Sequence, residues 1–388
     1  MNDTVNNNDT VNNTVKDVYR VGILGSYGGL NMGDEAILES MITQLRESLP
    51  VEITVFSRDA EDTLRRHKVE RAIAVRKLKR IELLPEMKRL DLLILGGGGI
   101  LFDTEAKIFC TQVNLALENQ VPVMVYAVGA GPLHDRDTQK MVRDCLNRAA
   151  VVTVRERDAA KILEDIGVSK EIIVAADPAL LLRPEPLPEK TLEHEYMDNV
   201  KCLVGMSVRE RGAAAPGMDE EHYHALLANA ADFMVDRFDA DILFIPMERK
   251  MLDMQQSHAV LSRMARVHRA RVLKGEYTSR QLLTLVGHLK FAVGMRLHFL
   301  IFAALQGVPF VALPYASKVM GFLEALDLET PPTHFVNPGM LIAYIDHSWD
   351  RRTYLQDRIQ RALPWLQKLA REPNDIVVNL LKGSYETI

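Results

Sequence analysis

Short apolar runs alternate with amphipathic segments over the first half of the chain. Most of these runs end in glycine or in a polar residue. Such runs are typical of strands buried in a parallel sheet, with a helix after each strand. The predicted strands are Tyr19–Leu24, Val51–Phe56, Leu92–Leu95, Pro122–Val128, Val151–Val154 and Ile172–Ala175.

The same alternation resumes after an acidic stretch that contains three prolines. This stretch interrupts both the strand pattern and the helical pattern, and it predicts a linker over residues 184–200. A Rossmann-like domain is therefore expected over residues 18–183 and a second one over residues 201–350. The strands predicted for the second domain are Cys202–Ser207, Asp241–Pro246, Arg271–Leu273, Lys290–Val293 and Val308–Leu313.

The whole pattern predicts an α/β fold of two doubly wound, parallel-sheet domains that face each other across a cleft. This plan is similar to the GT-B architecture of many glycosyltransferases. Residues 351–388 have an amphipathic helical pattern that is interrupted near Pro364 and Pro373. These C-terminal helices could cross back to the first domain. Residues 1–17 are rich in Asn, and we expect them to form a disordered polar tail.

Length, composition and charge narrow the class of protein. A chain of 388 residues, 47% hydrophobic and 26% charged, suits two ordinary globular domains. Its formal net charge of -5 provides no overall positive potential that would attract nucleic acid, so we expect no nucleic-acid partner. The lack of a long apolar run favours a cytoplasmic protein. Basic stretches at Arg65–Arg71 and Arg76–Arg80 leave open a peripheral contact with the inner face of the cell membrane.

Three predicted strands end in glycine-rich turns. Glycines at such turns let the backbone approach a ligand closely, and the N-terminus of a following helix suits an anion. We therefore expect an open floor for a ligand where these strands end. Its candidate residues are Gly28, Gly29, Gly97, Gly98 and Gly129. Asn31 and Asp34 lie in the first turn and could contact a sugar hydroxyl, although Asp34 and Glu35 could instead only cap the helix.

Basic residues follow predicted strands of both domains. Arg155 follows Val151–Val154, and Arg209 follows Cys202–Ser207. Arginine side chains match the geometry of carboxylate and phosphate groups, so both residues could hold a small dianionic substrate. Ion pairs with the neighbouring Glu156 and Glu210 are the alternative for these two arginines.

The segment Phe291–Phe299 contributes two further candidates. Arg296 and His298 lie where a predicted strand leads into an apolar helix, and Ser317 and Lys318 follow the next strand. A fixed cation beside a histidine suits an anion site at which a proton is transferred near neutral pH.

Taken in order, five segments resemble the polysaccharide pyruvyl transferases, among them bacterial cell-wall and exopolysaccharide enzymes. The segments are Gly28-Gly29-Leu30-Asn31-Met32-Gly33-Asp34-Glu35-Ala36, Leu95-Gly96-Gly97-Gly98, Val154-Arg155-Glu156, Asp177-Pro178-Ala179 and Gly294-Met295-Arg296-Leu297-His298. The resemblance covers about Val18 to Ala325. It implies that a pyruvyl group passes from phosphoenolpyruvate to a sugar diol as a ketal, with release of phosphate. It also implies a saccharide acceptor, free or lipid-linked, and no metal or cofactor.

The resemblance further implies a role for each candidate residue. The donor-binding residues would be Arg296, Lys318, Arg155, Arg209 and Ser317. His298 would be the general acid, and Asp34 would be the base on the acceptor side. An acid is needed because the enol ether becomes electrophilic at C2 only when its methylene carbon is protonated.

Two other functions fit the same sequence. One is a nucleotide-sugar glycosyltransferase of GT-B type, whose second domain would bind a nucleoside diphosphate. The other is a non-catalytic protein of the same family that binds a glycan or a phosphate. Competition by phosphoenolpyruvate but not by nucleotides would exclude the first, and ketal formation would exclude the second. The sequence predicts neither the acceptor sugar nor the oligomeric state.

Overall fold

The computed structural model describes residues 16–211, 218–248, 252–313, 317–329 and 338–384. Within these residues the chain forms two parallel sheets. The strands of the first sheet are β1 (Tyr19–Leu24), β2 (Val51–Ser57), β3 (Arg71–Ala74), β4 (Leu92–Gly96), β5 (Gly99–Leu101), β6 (Val123–Ala130), β7 (Val151–Val154) and β8 (Ile172–Val174). The strands of the second sheet are β9 (Leu203–Ser207), β10 (Asp241–Phe244), β11 (Ala270–Val272), β12 (Phe291–Gly294) and β13 (Phe310–Ala312).

Helices connect the strands of both sheets. Those of the first domain are α1 (Met32–Ser48), α2 (Ala60–Arg66), α3 (Arg80–Lys88), α4 (Ala106–Glu118), α5 (Arg136–Leu146) and α6 (Arg157–Asp165). The short helix α7 (Thr191–His194) follows. The remaining helices are α8 (Glu220–Phe238), α9 (Leu252–Leu261), α10 (Ser279–Val286), α11 (Leu297–Leu305), α12 (Ser317–Ala325), α13 (Pro338–Asp350) and α14 (Arg352–Leu381).

Both sheets have a doubly wound strand order. The first runs β3-β2-β1-β4-β6-β7-β8, with β5 paired to β6, and the second runs β11-β10-β9-β12-β13. The order reverses between β1 and β4 and again between β9 and β12. Ligands of open α/β sheets bind beyond the carboxyl ends of the strands at such reversals. The predicted α/β class with two Rossmann-like domains is confirmed.

Two strands were not predicted from the sequence. Strand β3 lies at the edge of the first sheet and is only partly buried, so it lacks a continuous apolar run. Strand β5 lies within the glycine-rich segment after β4, where the sequence indicates a turn. Neither strand has the continuous buried apolar run by which a strand of a parallel sheet is recognised in a sequence.

The predicted linker packs against the second domain. Thr284 Oγ1 donates to the carbonyl oxygen of Glu185 at 2.7 Å. The Glu195 carboxylate accepts hydrogen bonds from the backbone N–H groups of Lys274 and Gly275, at 3.0 and 2.7 Å. The domain boundaries at residues 183 and 201 stay predictions, and most of the expected tail, residues 1–15, lies outside the described residues.

The helix α1 lies at the interface between the two domains. The backbone N–H of Met32, at its first turn, donates to the carbonyl oxygen of Met247 in the second domain at 2.8 Å. The buried residues Ile37 and Met41 of α1 belong to one apolar cluster that also contains Leu243 of β10 and Leu300 of α11. The two sheets therefore share a continuous core.

The C-terminal segment forms one long helix rather than two. The expected break at Pro364 and Pro373 is wrong, because α14 continues through both prolines. A proline inside a helix costs about 3 kcal/mol through a lost hydrogen bond and a clash with the preceding turn. Buried contacts along α14 offset this cost, since Leu366 and Val377 join the core that contains α1.

Polar contacts also attach α14 to the first domain. Gln367 Nε2 donates to the carbonyl oxygen of Leu180 at 3.1 Å, and Asn374 Nδ2 donates to Ser48 Oγ at 2.9 Å. The helix thus crosses back to the first domain. Among the described residues, no helix combines the length and the apolar character needed to span a membrane.

The arginines of the two basic stretches form ion pairs with acidic residues. These ion pairs are Arg65–Asp62, Arg66–Asp62, Arg71–Glu86, Arg76–Glu105 and Arg80–Glu118. A surface with paired charges attracts an anionic membrane only weakly. The described residues therefore give no support to a membrane contact at these stretches.

The docking of α14 can be tested at Val377, which is fully buried. We expect Val377→Ala to lower the free energy of unfolding by about 2 kcal/mol, because the change removes buried methyl groups and leaves a cavity. Arg371→Ala, an exposed change on the same helix, should alter it by less than about 0.5 kcal/mol. Urea denaturation measures both values, and equal stability of the two variants would contradict the packing described above.

Candidate active site

A cleft between the two sheets collects charged side chains from both domains. Its cavity volume is about 160 Å³, which suits a small ligand. Its wall is formed by Ser26, Asn31, Asp34, Arg58, Gly99, Ile100, Phe102, Glu105, Phe109, Arg155, Arg209, Met247, Met295, Arg296, Leu297, His298 and Lys318. Five of these residues are Arg or Lys and two are Asp or Glu, so the wall favours an anionic ligand.

The strand topology explains why these residues meet. Ser26 follows β1, Gly99 follows β4 and Arg155 follows β7, while Arg209 follows β9 and Arg296 follows β12. The carboxyl ends of parallel strands lie at one edge of a sheet, and the two edges face each other. Seven of the sequence candidates lie in the wall, namely Asn31, Asp34, Arg155, Arg209, Arg296, His298 and Lys318. Ser317 begins α12, but its side chain lies outside the described residues.

His298 lies in the first turn of α11 and faces the first domain. Its Nε2 is 3.4 Å from Asp177 Oδ2. Its ring packs on Gly33 of α1 so closely that a Cβ atom at Gly33 would lie 1.9 Å from the ring Nδ1. Burial lowers the pKa of His298, and the cations Arg155 and Lys318 lower it further, while Asp177 opposes them. These surroundings therefore favour the neutral imidazole at neutral pH.

Asp177 is a buried carboxylate behind the wall. It accepts hydrogen bonds from Arg155 Nη1 at 2.9 Å and from the backbone N–H of Ala179 at 3.0 Å. Burial raises its pKa, but His298 and Arg155 outweigh that effect and hold the pKa well below its ordinary value. Asp177 is therefore a fixed negative charge that orients Arg155 and faces His298.

Arg155 is ion-paired and yet retains binding capacity. Its Nε donates to Glu156 Oε2 at 2.7 Å and its Nη1 donates to Asp177, so the expected alternative of an ion pair is real. Its Nη2 is buried and has no hydrogen-bond partner among the described residues. Buried polar groups are almost always hydrogen-bonded, so this nitrogen calls for an acceptor from a ligand or a water.

Lys318 is the second cation with unmet capacity. Its ammonium makes no hydrogen bond or ion pair within the described part of the chain. Burial and the three nearby arginines Arg155, Arg296 and Arg209 lower its pKa to about 8, and Asp34 opposes them. The group stays mostly charged at neutral pH, and an anionic ligand would restore its ordinary pKa.

Arg296 and Arg209 are more strongly committed to protein carboxylates than the sequence indicates. Arg296 donates from Nε to Asp253 Oδ2 and from Nη2 to Glu248 Oε2, both at 2.9 Å. Arg209 pairs with Glu210. Removal of Arg296 would leave the fully buried Asp253 without its cation, which destabilises a fold strongly. Among the expected donor-binding residues, Lys318 and Arg155 therefore keep more capacity for an anion than Arg296 does.

Asp34 lies at the third position of α1, beside the cations. Burial and the neighbouring Glu35 raise its pKa from 3.8 to about 7, against the effect of Lys318, Arg155 and Arg58. The cap of this helix is Asn31, whose Oδ1 accepts from the N–H of Gly33 at 3.0 Å. The capping role that the sequence left open for Asp34 and Glu35 therefore belongs to Asn31.

The candidate glycines have a role different from the expected open floor. None of Gly28, Gly29, Gly97, Gly98 and Gly129 lies in the wall described above. A Cβ atom at Gly98 would lie 2.5 Å from Asp34 Oδ1, and one at Gly129 would lie 3.0 Å from Arg155 Nη2. One at Gly97 would lie 2.4 Å from Tyr27 Oη. Gly97, Gly98 and Gly129 thus make room for side chains of the protein, whereas Gly28 lies against the backbone of Asp59.

Three residues of the site were given no role from the sequence. Arg58 follows β2 just as Arg155 follows β7, so the same reasoning could have found it. Glu105 accepts from Arg58 Nη2 at 3.2 Å and lies in a loop without a sequence signal. Asp177 belongs to the segment Asp177-Pro178-Ala179, one of the five segments on which the family resemblance rests. The described residues contain no group of three His, Cys, Asp or Glu side chains arranged to hold a metal.

Comparisons with known proteins agree with this geometry at the level of fold and family. The chain is 21% identical over 318 residues to the amylovoran biosynthesis protein AmsJ of Erwinia amylovora, covering 77% of this chain and 74% of AmsJ. The fold is similar to that of S. aureus MnaA in a co-structure with UDP, with a TM-score of 0.64, 13% identity and coverage of 94% and 96% of the two chains.

The UDP-GlcNAc 2-epimerase of Neisseria meningitidis, solved with UDP-GlcNAc, has a TM-score of 0.61 at 12% identity, covering 94% of this chain and 99% of its own. These likenesses show the GT-B-like fold alone. The model of the family described as polysaccharide pyruvyl transferase matches residues 31–317, which include every wall residue except Ser26 and Lys318. Because this match spans well over half of the chain, the protein belongs to the polysaccharide pyruvyl transferase family.

Proposed function

We propose that this protein transfers a pyruvyl group from phosphoenolpyruvate to two hydroxyls of a saccharide and releases phosphate. The observation that carries the proposal is the pair of cations with unmet capacity, Lys318 and Arg155 Nη2, in one cleft with two groups suited to proton transfer, His298 and Asp34. Phosphoenolpyruvate carries a phosphate and a carboxylate on the same carbon, C2. These groups would satisfy both cations at once.

Donor binding would prepare His298 to act as the acid. The unliganded site favours its neutral form. The negative charges of phosphoenolpyruvate would offset the cations and raise the pKa of His298, and Asp177 would stabilise the imidazolium that results. His298 then donates its proton to the methylene carbon, which leaves a cation at C2 for a hydroxyl to attack.

Asp34 would accept the proton of the first attacking hydroxyl. A group with a pKa of about 7 takes up and releases protons readily near neutral pH. The bond between C2 and the phosphate oxygen then breaks, and the second hydroxyl attacks C2 and closes the ketal. The proton of this second hydroxyl leaves with the phosphate. The proton of the first hydroxyl, taken up by Asp34, balances the proton that His298 added to the methylene carbon.

Mass spectrometry tests the reaction directly. Phosphoenolpyruvate and a panel of methyl hexosides and methyl N-acetylhexosaminides should give products heavier by about 70 Da, the mass of a ketal that replaces two hydrogens, together with free phosphate. Nucleotide sugars offered as donors should give no product, and nucleotides should not compete. Transfer of a glycosyl group from a nucleotide sugar would overturn the proposal and favour the glycosyltransferase alternative.

The first variant is Lys318→Ala. We expect the KM for phosphoenolpyruvate to rise about 10- to 100-fold, because a hydrogen bond to a charged group contributes roughly 1.5–3 kcal/mol. The effect on kcat should be smaller, since the lost contact binds the donor in its ground state. Lys140→Ala removes an exposed lysine of α5 that does not line the cleft and is the control. A normal KM in Lys318→Ala would remove the proposed anion site.

The second variant, Asp34→Asn, keeps the shape beside Gly98 but cannot accept a proton. We expect turnover to fall by about 100-fold or more, the usual contribution of a general base. Because Asp34 must be ionised to act, its contribution increases as pH rises through about 7 and is lost as pH falls. The kcat profile against pH should lose this dependence in the variant, and an unchanged profile would assign the base to another group.

The third variant, His298→Gln, tests the acid. Turnover should drop by roughly 100-fold or more, since glutamine cannot deliver a proton to carbon. The KM for the donor should change much less. In heavy water the wild-type enzyme should place deuterium in the ketal methyl group, and the variant should be slow at that step. His134→Gln, at an exposed histidine, is the control. Near-normal turnover of His298→Gln would contradict the assignment.

A further inference from the structure

A second groove opens beside the cleft, between the N-terminal end of α6 and the helices α12 and α14. Arg155 and Lys318 line both the groove and the cleft, so the two spaces meet at the same two cations. The groove also reaches Asp158 at the start of α6, Gly321 in α12 and Trp365 in α14. We call this space the α12–α14 groove.

Gly321 lies inside α12 with open space where a side chain would be. No atom of the described residues lies within 4 Å of a Cβ atom built there. A glycine inside a helix costs about 1 kcal/mol relative to alanine. The glycines Gly33 and Gly98 are explained by protein side chains packed against them, whereas nothing in the described packing requires Gly321. Gly321 therefore leaves this part of the groove open to a ligand.

Trp365 lies at the other side of the groove and is 57% exposed. The ammonium of Lys368 lies over one face of the indole ring, 5.4 Å from its centre, so a stacking ligand would use the other face. A tryptophan exposes an apolar face and a polar edge at the same time. A sugar ring has the matching surface, because its C–H face is apolar and its hydroxyls point outward.

The remaining wall favours a saccharide over a lipid chain. Four of its large apolar residues, Leu297, Ile301, Phe322 and Leu366, are almost completely covered by other protein atoms. The exposed part of the wall includes Asp158, a carboxylate that can accept hydrogen bonds from hydroxyls. The groove is thus an apolar platform with polar partners around it, as in other small-molecule sites.

We infer that the α12–α14 groove binds the acceptor saccharide of this enzyme. The inference rests on the proposed function and adds where the acceptor lies and which residues select it. A sugar ring stacks on Trp365, passes over Gly321 and extends its hydroxyls past Arg155 and Lys318 toward Asp34 and the donor in the cleft. The two substrates thereby enter from separate spaces and meet at the shared cations.

A graded series at Gly321 tests the inference by kinetics. Gly321→Phe projects into the groove and should raise the KM for the acceptor glycoside at least 10-fold, while the KM for phosphoenolpyruvate stays within about 2-fold. Gly321→Ala should have a smaller effect in the same direction. Arg361→Phe adds an aromatic side chain at an exposed position of α14 outside the groove and is the control. A normal acceptor KM in Gly321→Phe would overturn the inference.

The failure of this inference is distinguishable from failure of the proposed function. A wild-type enzyme that transfers no pyruvyl group would overturn the proposed function, whereas one that does so and tolerates Gly321→Phe would overturn only the acceptor site. Urea denaturation shows whether Gly321→Phe is folded. Should it be unfolded, Trp365→Ala replaces it, because an exposed side chain contributes little to stability. The same rise in the acceptor KM is expected there.

Fluorescence gives a readout that does not depend on turnover. The chain has two tryptophans, and Trp349 is stacked on Phe238 with the ring centres 4.1 Å apart. Trp349→Phe therefore leaves Trp365 as the only reporter. A methyl glycoside that the enzyme modifies should change this signal saturably, and the added Gly321→Phe should abolish the change. No saturable change, or a change with octyl glycosides alone, would overturn the saccharide as occupant.

Discussion

The Asp177 carboxylate is the fixed charge on which the rest of the candidate site depends. It binds one arm of Arg155 and faces the ring of His298, so it sets the position of a cation from one domain and of a histidine from the other. A carboxylate can stay ionised in so buried a place only because these two groups and the Ala179 amide surround it. The neighbouring Lys318 is left without a carboxylate partner in the described residues, and the cleft keeps a positive excess for an anion.

Much of the fold could be predicted from the sequence, because alternation of buried strands and amphipathic helices is a property of each segment by itself. The edge strand β3 and the unbroken helix α14 could not, since contacts made far along the chain decide both. Pro364 and Pro373 indicate a break locally, and only the burial of Leu366 and Val377 against the first domain outweighs that preference.

For the candidate site too, some features follow from local signals in the sequence and others depend on contacts with distant segments. Strand ends are local signals, so Arg155, Arg209 and His298 could be found one by one. Which cation remains available to a ligand depends on partners from other segments, such as the Asp253 carboxylate that holds Arg296. The glycines were misread for the same reason, because the sequence shows that space is needed at Gly98 and cannot show that Asp34 fills it.

The core shared by the two sheets has a consequence for how such enzymes can change. The helices α1, α11 and α14 bury their apolar faces in one cluster. Either domain, separated from the other, would therefore expose part of this apolar core to water. The protein should melt as one cooperative unit rather than domain by domain. A half taken from a relative would bring an apolar face shaped by a different partner, so exchange of whole halves should disrupt this shared core.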